Sequence, residues 1–228
     1  MDYKKNLRYF ENKKIPLYIG AAMIALGIVF LLGTRWSEFY YIMYPSSFFL
    51  LICGGIMFAV SKTSKSSDKS LDEAINESFK SFEEQTLKKF DLYERQLPYI
   101  ESVLLEGYKY YEGSYLIRDG SGKYRTDVYA KTHVYFTKTE LCIGSCEISF
   151  IKDEQTDKSI SIPYESIKRA YMEDNVIEYK LKNKLVQIHY QTLHIETTNG
   201  EFTCQTYVSQ YLDNLLENIN RMAEERKN

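Results

Sequence analysis

The residues best suited to bind a ligand lie in a short glycine-rich loop, residues 118–125, with the sequence RDGSGKYR. Its glycines, Gly120 and Gly122, free backbone N–H groups to point at an anion. Three basic side chains flank them: Arg118, Lys123 and Arg125. The loop lacks the Gly-x-x-x-x-Gly-Lys-Ser/Thr spacing of a nucleotide-binding P-loop. Two interpretations stay open: an exposed hairpin turn, or a site for a phosphate group or lipid headgroup.

The four cysteines and three histidines do not suggest catalysis or metal binding. Cys142 and Cys146 are spaced unlike the ligands of a zinc knuckle, and no histidine lies near them in the sequence. His133, His189 and His194 fall in predicted strands, and no Ser/His/Asp or Cys/His pairing is indicated. We therefore expect no catalytic residues, no metal, no cofactor and no enzymatic activity.

Charge is unevenly distributed along the chain. The net charge is −2, but basic residues gather in residues 1–14 and 61–70, whereas residues 71–228 carry about −7. A nucleic-acid-binding domain needs a basic footprint. We therefore expect no nucleic-acid partner, and we expect the basic segments to lie against anionic lipid headgroups, at about 1 kcal/mol per basic residue.

Two uncharged apolar runs, residues 15–33 and 39–60, predict a membrane anchor. Each run approaches or reaches the roughly 20 residues that a helix needs to cross a hydrocarbon core of about 30 Å. Trp36, in the connecting turn, and nearby tyrosines would lie among the headgroups. A cleaved signal peptide or a buried pair of soluble helices are the alternatives. The first run is long for a signal peptide, lacks a small-residue cleavage site, and is followed at once by a second span.

The orientation of this hairpin follows from its flanks. Lysine and arginine are concentrated before the first run and after the second, whereas the turn contains only Arg35, offset by Glu38. By the positive-inside rule both termini are predicted to be cytoplasmic. Small residues, such as the pair Gly55 and Ala59, suit either packing of the two spans on each other or homo-oligomerisation. The absence of charge inside the spans counts against a channel or pump.

An amphipathic helix is predicted for residues 71–97, after the polar segment 61–70. Its apolar residues recur in steps of three and four, as on one helix face. The candidate interaction face consists of Ile75, Phe79, Phe82 and Phe90. The helix either folds back on the following domain or pairs with a partner or a second copy as a stalk.

Beyond residue 98 the pattern changes to short runs rich in Val, Ile, Thr and Tyr, separated by turn residues. Candidate strands are residues 103–111, 114–118, 126–137, 140–150, 159–163, 167–172, 176–181, 185–190, 192–198 and 201–206. Their alternation is typical of an antiparallel meander. A closing amphipathic helix is predicted over residues 209–225.

This order of elements resembles the pleckstrin-homology-like domains, and three segments make it similar to the GRAM and bacterial pleckstrin-homology-like branch. They are VYFTKTELCI (Val134–Ile143), ISIPYESIKRAYM (Ile160–Met172) and LHIETTNGEFTCQTY (Leu193–Tyr207). The resemblance covers about residues 103–226. It implies a curled sheet or barrel closed at one end by the C-terminal helix, used to bind peptides, proteins or lipids. The chain departs from phosphoinositide-binding members in lacking a dense basic first hairpin.

The predicted fold class is therefore α+β: a two-helix transmembrane hairpin, a helical linker, and an antiparallel pleckstrin-homology-like domain. The predicted segments are a basic arm (1–14), the hairpin (15–60), a polar linker with its helix (61–98) and the cytoplasmic domain (99–228). The expected function is protein–protein interaction or self-assembly at the inner leaflet, with the bilayer and a protein partner or second copy as partners. The alternative is a sensor of anionic lipid headgroups that uses the 118–125 loop.

Overall fold

The computed structural model describes residues 1–11, 15–33, 40–63, 66–181, 184–206 and 211–227. Helices come first and antiparallel sheets follow, so the chain is α+β. It forms two compact units, a helical unit of residues 2–67 and a β-rich unit of residues 68–228. Trp36 and Arg35 of the predicted turn, and the basic residues Lys13, Lys14 and Lys65, lie outside the described residues.

The helical unit contains α1 (Tyr3–Glu11), α2 (Ile15–Gly33) and α3 (Tyr40–Thr63). Two glycines let α2 and α3 approach closely. A Cβ atom on Gly20 would lie 2.9 Å from the backbone nitrogen of Phe58, and one on Gly54 would lie 2.9 Å from the carbonyl oxygen of Gly20. Any larger residue at either position would push the helices apart, because the atoms it meets belong to the backbone.

Both apolar helices are long and apolar enough to cross a membrane, over Pro16–Gly33 and Tyr40–Ser61. Only 11% of the residues in each apolar window are buried within the protein. Large apolar side chains point outward, including Val29 at 61%, Leu32 at 63% and Phe49 at 66% exposure. The two helices therefore bury a narrow contact and leave most of their apolar surface uncovered.

The β-rich unit has three antiparallel sheets. The first has the order β1-β4-β5-β6, the second is the hairpin β2-β3, and the third has the order β7-β8-β9. The strands are β1 (Val103–Tyr108), β2 (Leu116–Arg118), β3 (Tyr124–Thr126), β4 (Val128–Phe136), β5 (Glu140–Ser149), β6 (Gln155–Pro163), β7 (Ile167–Leu181), β8 (Lys184–Thr197) and β9 (Gly200–Thr206).

The main core joins the first and third sheets to the C-terminal helix α6 (Tyr211–Lys227). Val134 and Leu141 from the first sheet, Ile195 from the third, and Leu215 and Ile219 from α6 are all fully buried. This helix was predicted to begin at Ser209, which lies outside the described residues.

The described strands form open sheets and not a closed barrel. The first and third sheets come together where β1 contacts β9, but no strand ladder links them in the part of the chain that the structure describes. Instead, the Gln205 side chain accepts a hydrogen bond from the Tyr110 N–H (2.8 Å) and donates one to the Tyr110 carbonyl (2.9 Å). A side chain thus takes the place of a strand partner at this junction.

Helix α4 (Asp68–Lys89) packs on the face of the first sheet opposite the main core. Its predicted extension to Leu97 is interrupted: Asp91 adopts a left-handed conformation (φ 53°), and a short helix α5 (Leu92–Arg95) follows. The break redirects Leu92 into a small cluster with Tyr135 and Cys142. The helix is interrupted at Asp91 because burial of Leu92 against the sheet stabilises the turn between α4 and α5.

Candidate functional site

The 118–125 loop is the turn of the β2-β3 hairpin. Gly122 has a φ of +90°, a conformation open to glycine. The Asp119 side chain organises the turn internally. Its Oδ1 accepts hydrogen bonds from the backbone N–H groups of Ser121 and Lys123, both at 2.9 Å, and from the Ser121 hydroxyl at 2.8 Å. An aspartate of the loop therefore binds N–H groups that would otherwise point at an external anion.

Arg125 is also neutralised within the chain. Its Nε donates to Asp119 Oδ2 at 2.8 Å, and its two terminal nitrogens donate to the Asp72 carboxylate at 2.6 and 3.3 Å. Nη1 also donates to the Tyr108 hydroxyl at 2.9 Å, and the guanidinium lies 5.6 Å from the centre of that ring. The Arg125 side chain is only 11% exposed. It is the centre of an ion-pair network that joins the hairpin to helix α4, in which Asp119 is buried and Asp72 is 52% exposed.

These contacts shift both ionisation equilibria toward the charged forms. Burial by itself would raise the pKa of Asp119, but hydrogen bonds from Arg125, Ser121 and the Lys123 N–H lower it to about 2. Burial by itself would lower the pKa of Arg125, and the bonds to Asp72 and Asp119 raise it above its ordinary value. The pair is therefore charged throughout the physiological pH range.

The first turns of α4 supply the remaining partner of the loop. Asp68 Oδ2 accepts a hydrogen bond from the Gly120 N–H at 2.9 Å. Arg118 folds over the turn, where its Nε donates to the Gly122 carbonyl at 2.8 Å, and its guanidinium lies 5.9 Å from the Tyr124 ring. Two carboxylates of α4, those of Asp68 and Asp72, therefore occupy the places that an anionic ligand would take. Lys123 forms no ion pair within the described residues.

The predicted interaction face of α4 packs inside the β-rich unit. Ile75, Phe79 and Phe82 are 5–6% exposed. The Phe79 ring lies 5.9 Å from that of Tyr129 and 5.2 Å from the Lys131 ammonium. Phe90 is partly buried against the small cluster that contains Leu92. In the structure, α4 therefore folds back on its own domain, which is the first of the two interpretations of this helix.

A cavity of about 770 Å³ lies where α4, the β2-β3 hairpin and β8 meet. Its walls combine four tyrosine rings with the Arg125 ion pairs and two apolar side chains, Ile75 and Ile188. The ring-bearing residues are Tyr108, Tyr110, Tyr124 and Tyr129. A volume of this size is in the range of small-molecule sites. Its charged groups are largely paired with each other, since Lys131 binds Glu106 at 2.9 Å.

A second groove, of about 630 Å³, runs along β1 beside α6. One wall is the continuous segment 99–106, and the other includes Leu212 and Leu215 of α6. Within the described residues, β1 pairs only with β4, so the edge that faces this groove has no strand partner. Two apolar side chains at the groove are exposed, Tyr99 at 73% and Leu104 at 45%.

Two histidines and two strand cysteines have contacts typical of residues that support the fold; they are His133, His194, Cys142 and Cys146. His133 Nδ1 is 2.9 Å from the Tyr135 hydroxyl, and burial lowers the pKa of this histidine. Burial raises the pKa of the Cys142 thiol to about 11 and that of Cys146 above its ordinary value. His194 lies between Glu201 and Glu173, at 2.6 and 3.2 Å. Among the described residues, no three His, Cys, Asp or Glu side chains come together as a metal site would require.

Sequence reasoning found the basic residues of the loop but missed their partners. These partners, Asp68 and Asp72, lie about fifty residues earlier in the chain, at the start of α4. A pairing across fifty residues leaves no local pattern in the sequence.

No family model, curated protein or solved structure matches this chain.

Proposed function

We propose that this chain is a non-enzymatic integral membrane protein that presents a pleckstrin-homology-like domain to a protein partner at the inner leaflet. Helices α2 and α3 form its transmembrane hairpin, with both termini in the cytoplasm. The acidic β-rich unit then lies at the cytoplasmic face, where it binds a partner or a second copy.

The observation that carries the membrane part of this proposal is the exposure of α2 and α3. A pair of core helices in a soluble protein would be mostly buried, whereas here only 11% of each apolar window is buried. Exposed apolar surface of this extent must be shielded from water by an apolar environment. Lipid tails supply it, and helices satisfy their own backbone hydrogen bonds within the bilayer.

The groove beside β1 supports the binding part of the proposal. An extended peptide segment could add, through backbone hydrogen bonds, to the edge of β1 that has no strand partner among the described residues, while its side chains contact Leu104 and the apolar residues of α6. This mode of recognition suits a domain with a net negative charge, because it depends on backbone groups and apolar contacts and needs no basic surface. The resemblance to pleckstrin-homology-like domains points to the same class of function.

The alternative, a headgroup sensor built on the 118–125 loop, has weaker support. Its Gly120 N–H and the Arg125 guanidinium already bind Asp68, Asp72 and Asp119. A headgroup would have to displace two carboxylates that are covalently part of the same chain. Such a displacement is unfavourable because Arg125 is only 11% exposed and would exchange partners that the fold already holds in place.

Site-specific photocrosslinking tests the proposed binding groove in intact membranes. A photoreactive phenylalanine analogue replaces Leu104 in the full chain, and the control carries it at Tyr93, which is 70% exposed and remote from the groove in the sequence. We expect a discrete crosslinked product from position 104 and none from position 93. Its mass distinguishes a second copy from another protein.

Two outcomes would contradict the proposal. Equal crosslinking at both positions, or none at position 104, would exclude the groove as the binding surface. Release of the chain from membranes by alkaline carbonate would exclude the transmembrane anchor itself.

A further inference from the structure

One end of the β-rich unit gathers three elements that are distant in sequence. The α4 N-terminus contacts the β2-β3 turn through the bond between Asp68 and Gly120. The β2-β3 hairpin in turn packs against the outer part of the β7-β8 hairpin, where Tyr179 and Ile188 form a cluster with Tyr110. Leu116 and Tyr124 of the small hairpin join that cluster. The start of α4 and the outer part of β7-β8 therefore belong to the same end of the domain.

The chain leads from the apolar helices into the β-rich unit at this end, where α4 begins. Only residues 64–67 separate Thr63, where α3 ends, from Asp68, where α4 begins. Even fully extended, this connection spans at most about 18 Å. If α3 crosses the bilayer, as proposed above, the end of the domain that contains Asp68 must stay close to the lipid headgroups.

Among the described residues, β9 pairs with β8 only as far as Gln191, and the β7-β8 hairpin extends beyond this point. In that part of the structure the hairpin is a two-stranded ribbon, residues 175–181 and 184–190. Near its tip Leu185 is 72% exposed, and it is one of the most exposed large apolar side chains in the described chain. At this exposure Leu185 contributes little to packing among the described residues of the domain.

Positive charge surrounds this leucine. Lys180 lies directly opposite Leu185, and Lys184 precedes it in the strand. Both lysines are exposed, and neither forms an ion pair within the described residues. The nearest acidic residue on the same face, Glu178, accepts a hydrogen bond from the Gln187 amide at 2.9 Å. An exposed apolar residue among free lysines is the combination by which proteins attach to anionic membrane surfaces.

We propose that the β7-β8 tip is a second, peripheral membrane contact, in which Leu185 enters the headgroup region of an anionic leaflet and Lys180 and Lys184 bind lipid phosphates. The inference rests on the proposed membrane anchor. The contact orients the domain: the tip faces the lipid, while the acidic remainder is repelled from it. The groove beside β1 is then held in a fixed orientation toward the cytoplasm.

Tryptophan fluorescence in nanodiscs tests this contact in the full chain. The only native tryptophan is replaced (Trp36→Phe), and a single tryptophan is introduced by Leu185→Trp or, as the matched control, by Val176→Trp. Val176 lies on the same ribbon face and is 53% exposed, but is about 13 Å further from the tip. The discs contain brominated phosphatidylcholine, which quenches tryptophan only near the acyl chains, and anionic phosphatidylglycerol.

We expect quenching at position 185 to exceed that at position 176 by about threefold or more, as for a side chain buried 5–10 Å into the interface. Adding Lys180→Glu and Lys184→Glu, or omitting phosphatidylglycerol, should remove most of the difference. Equal quenching at the two positions in a chain that copurifies with the discs would overturn the membrane contact alone. A chain that does not enter the discs would overturn the proposed anchor, and the contact with it.

Discussion

Asp119 shows how one side chain decides what the glycine-rich loop can bind. Its carboxylate accepts bonds from Ser121, Lys123 and Arg125, and its side chain is 1% exposed. These bonds hold its pKa at about 2, below the ordinary 3.8. A depressed folded-state pKa stabilises the fold fully above about pH 4, and this contribution is lost as the pH falls toward 2.

Asp119→Asn should therefore lower the stability of the full chain at pH 7 by about 1–2 kcal/mol, after allowance for solvent screening. The gap in melting temperature between the variant and the parent should narrow as the pH falls from 4 to 2. Ser121→Ala, which removes one bond to the same carboxylate, should have a smaller effect and keep the pH dependence. A gap that does not change with pH would show that the carboxylate charge contributes nothing.

The loop also marks what sequence could predict at the level of residues. Its turn geometry and its basic side chains followed from Gly120, Gly122 and the flanking arginines and lysine. The ion pairs that neutralise Arg125 did not, because Asp72 is more than fifty residues away and local spacing carries no information about it. Long-range charge pairing depends on the tertiary fold.

At the level of elements, helix α4 approaches the first sheet closely at Gly144. A Cβ atom on this glycine would lie 2.6 and 2.8 Å from the Thr86 side-chain atoms Cγ2 and Oγ1, and 3.2 Å from Phe82. Gly144→Ala should therefore displace α4 and cost about 1–3 kcal/mol, as overpacking does. Hydrogen exchange of the amides of residues 68–89 should become faster.

Thr86→Ala provides a rescue for this change, since it deletes both of the closest atoms. The double variant Gly144→Ala/Thr86→Ala should be more stable than the sum of the single effects predicts, with a coupling of about 1 kcal/mol. Strictly additive effects would mean that the Thr86 side chain does not contact Gly144 closely enough to set the position of α4.

The two apolar helices contain their own matched pair of glycines. Gly54 meets the backbone of Gly20, whereas a Cβ atom on Gly55 would meet nothing within 4 Å. Gly54→Leu should separate α2 from α3 and cost about 2 kcal/mol or more in a detergent unfolding titration. Gly55→Leu should leave that titration unchanged. Equal damage from Gly55→Leu, with loss of a crosslinked dimer, would instead favour homo-oligomerisation through Gly55 and Ala59.

Sequence patterns predicted the type of most elements better than their extent. Residues 167–172 and 176–181 were predicted as two strands, but they form one strand, β7. The polar run Glu173-Asp174-Asn175 has the composition of a turn. In the fold it pairs in register with residues 190–192 of β8, because this part of the ribbon has one face in water. Tertiary pairing overrides local propensity at such positions.

At the scale of the whole molecule, a short connection joins two apolar helices to an acidic domain, and in the proposed membrane arrangement the flanking charge sets the orientation of the chain. Basic residues precede α2, in the segment 1–14, and follow α3, in the segment 61–70. Lysine and arginine beside a span favour the cytoplasm, whereas acidic residues have little influence. Both termini should therefore be cytoplasmic, and this arrangement should depend on the basic residues alone.

Reversal of this charge bias should reverse the hairpin. The change replaces the five basic residues of the arm with glutamine and adds three lysines to the connecting turn; the five are Lys4, Lys5, Arg8, Lys13 and Lys14. A reporter fused to the N-terminus, active only outside the cytoplasm, should then gain activity severalfold. Asp2→Asn with Glu11→Gln is the control and should leave the reporter inactive. An N-terminus that stays cytoplasmic after the reversal would mean that the folded acidic domain, and not the flanking charge, determines the orientation.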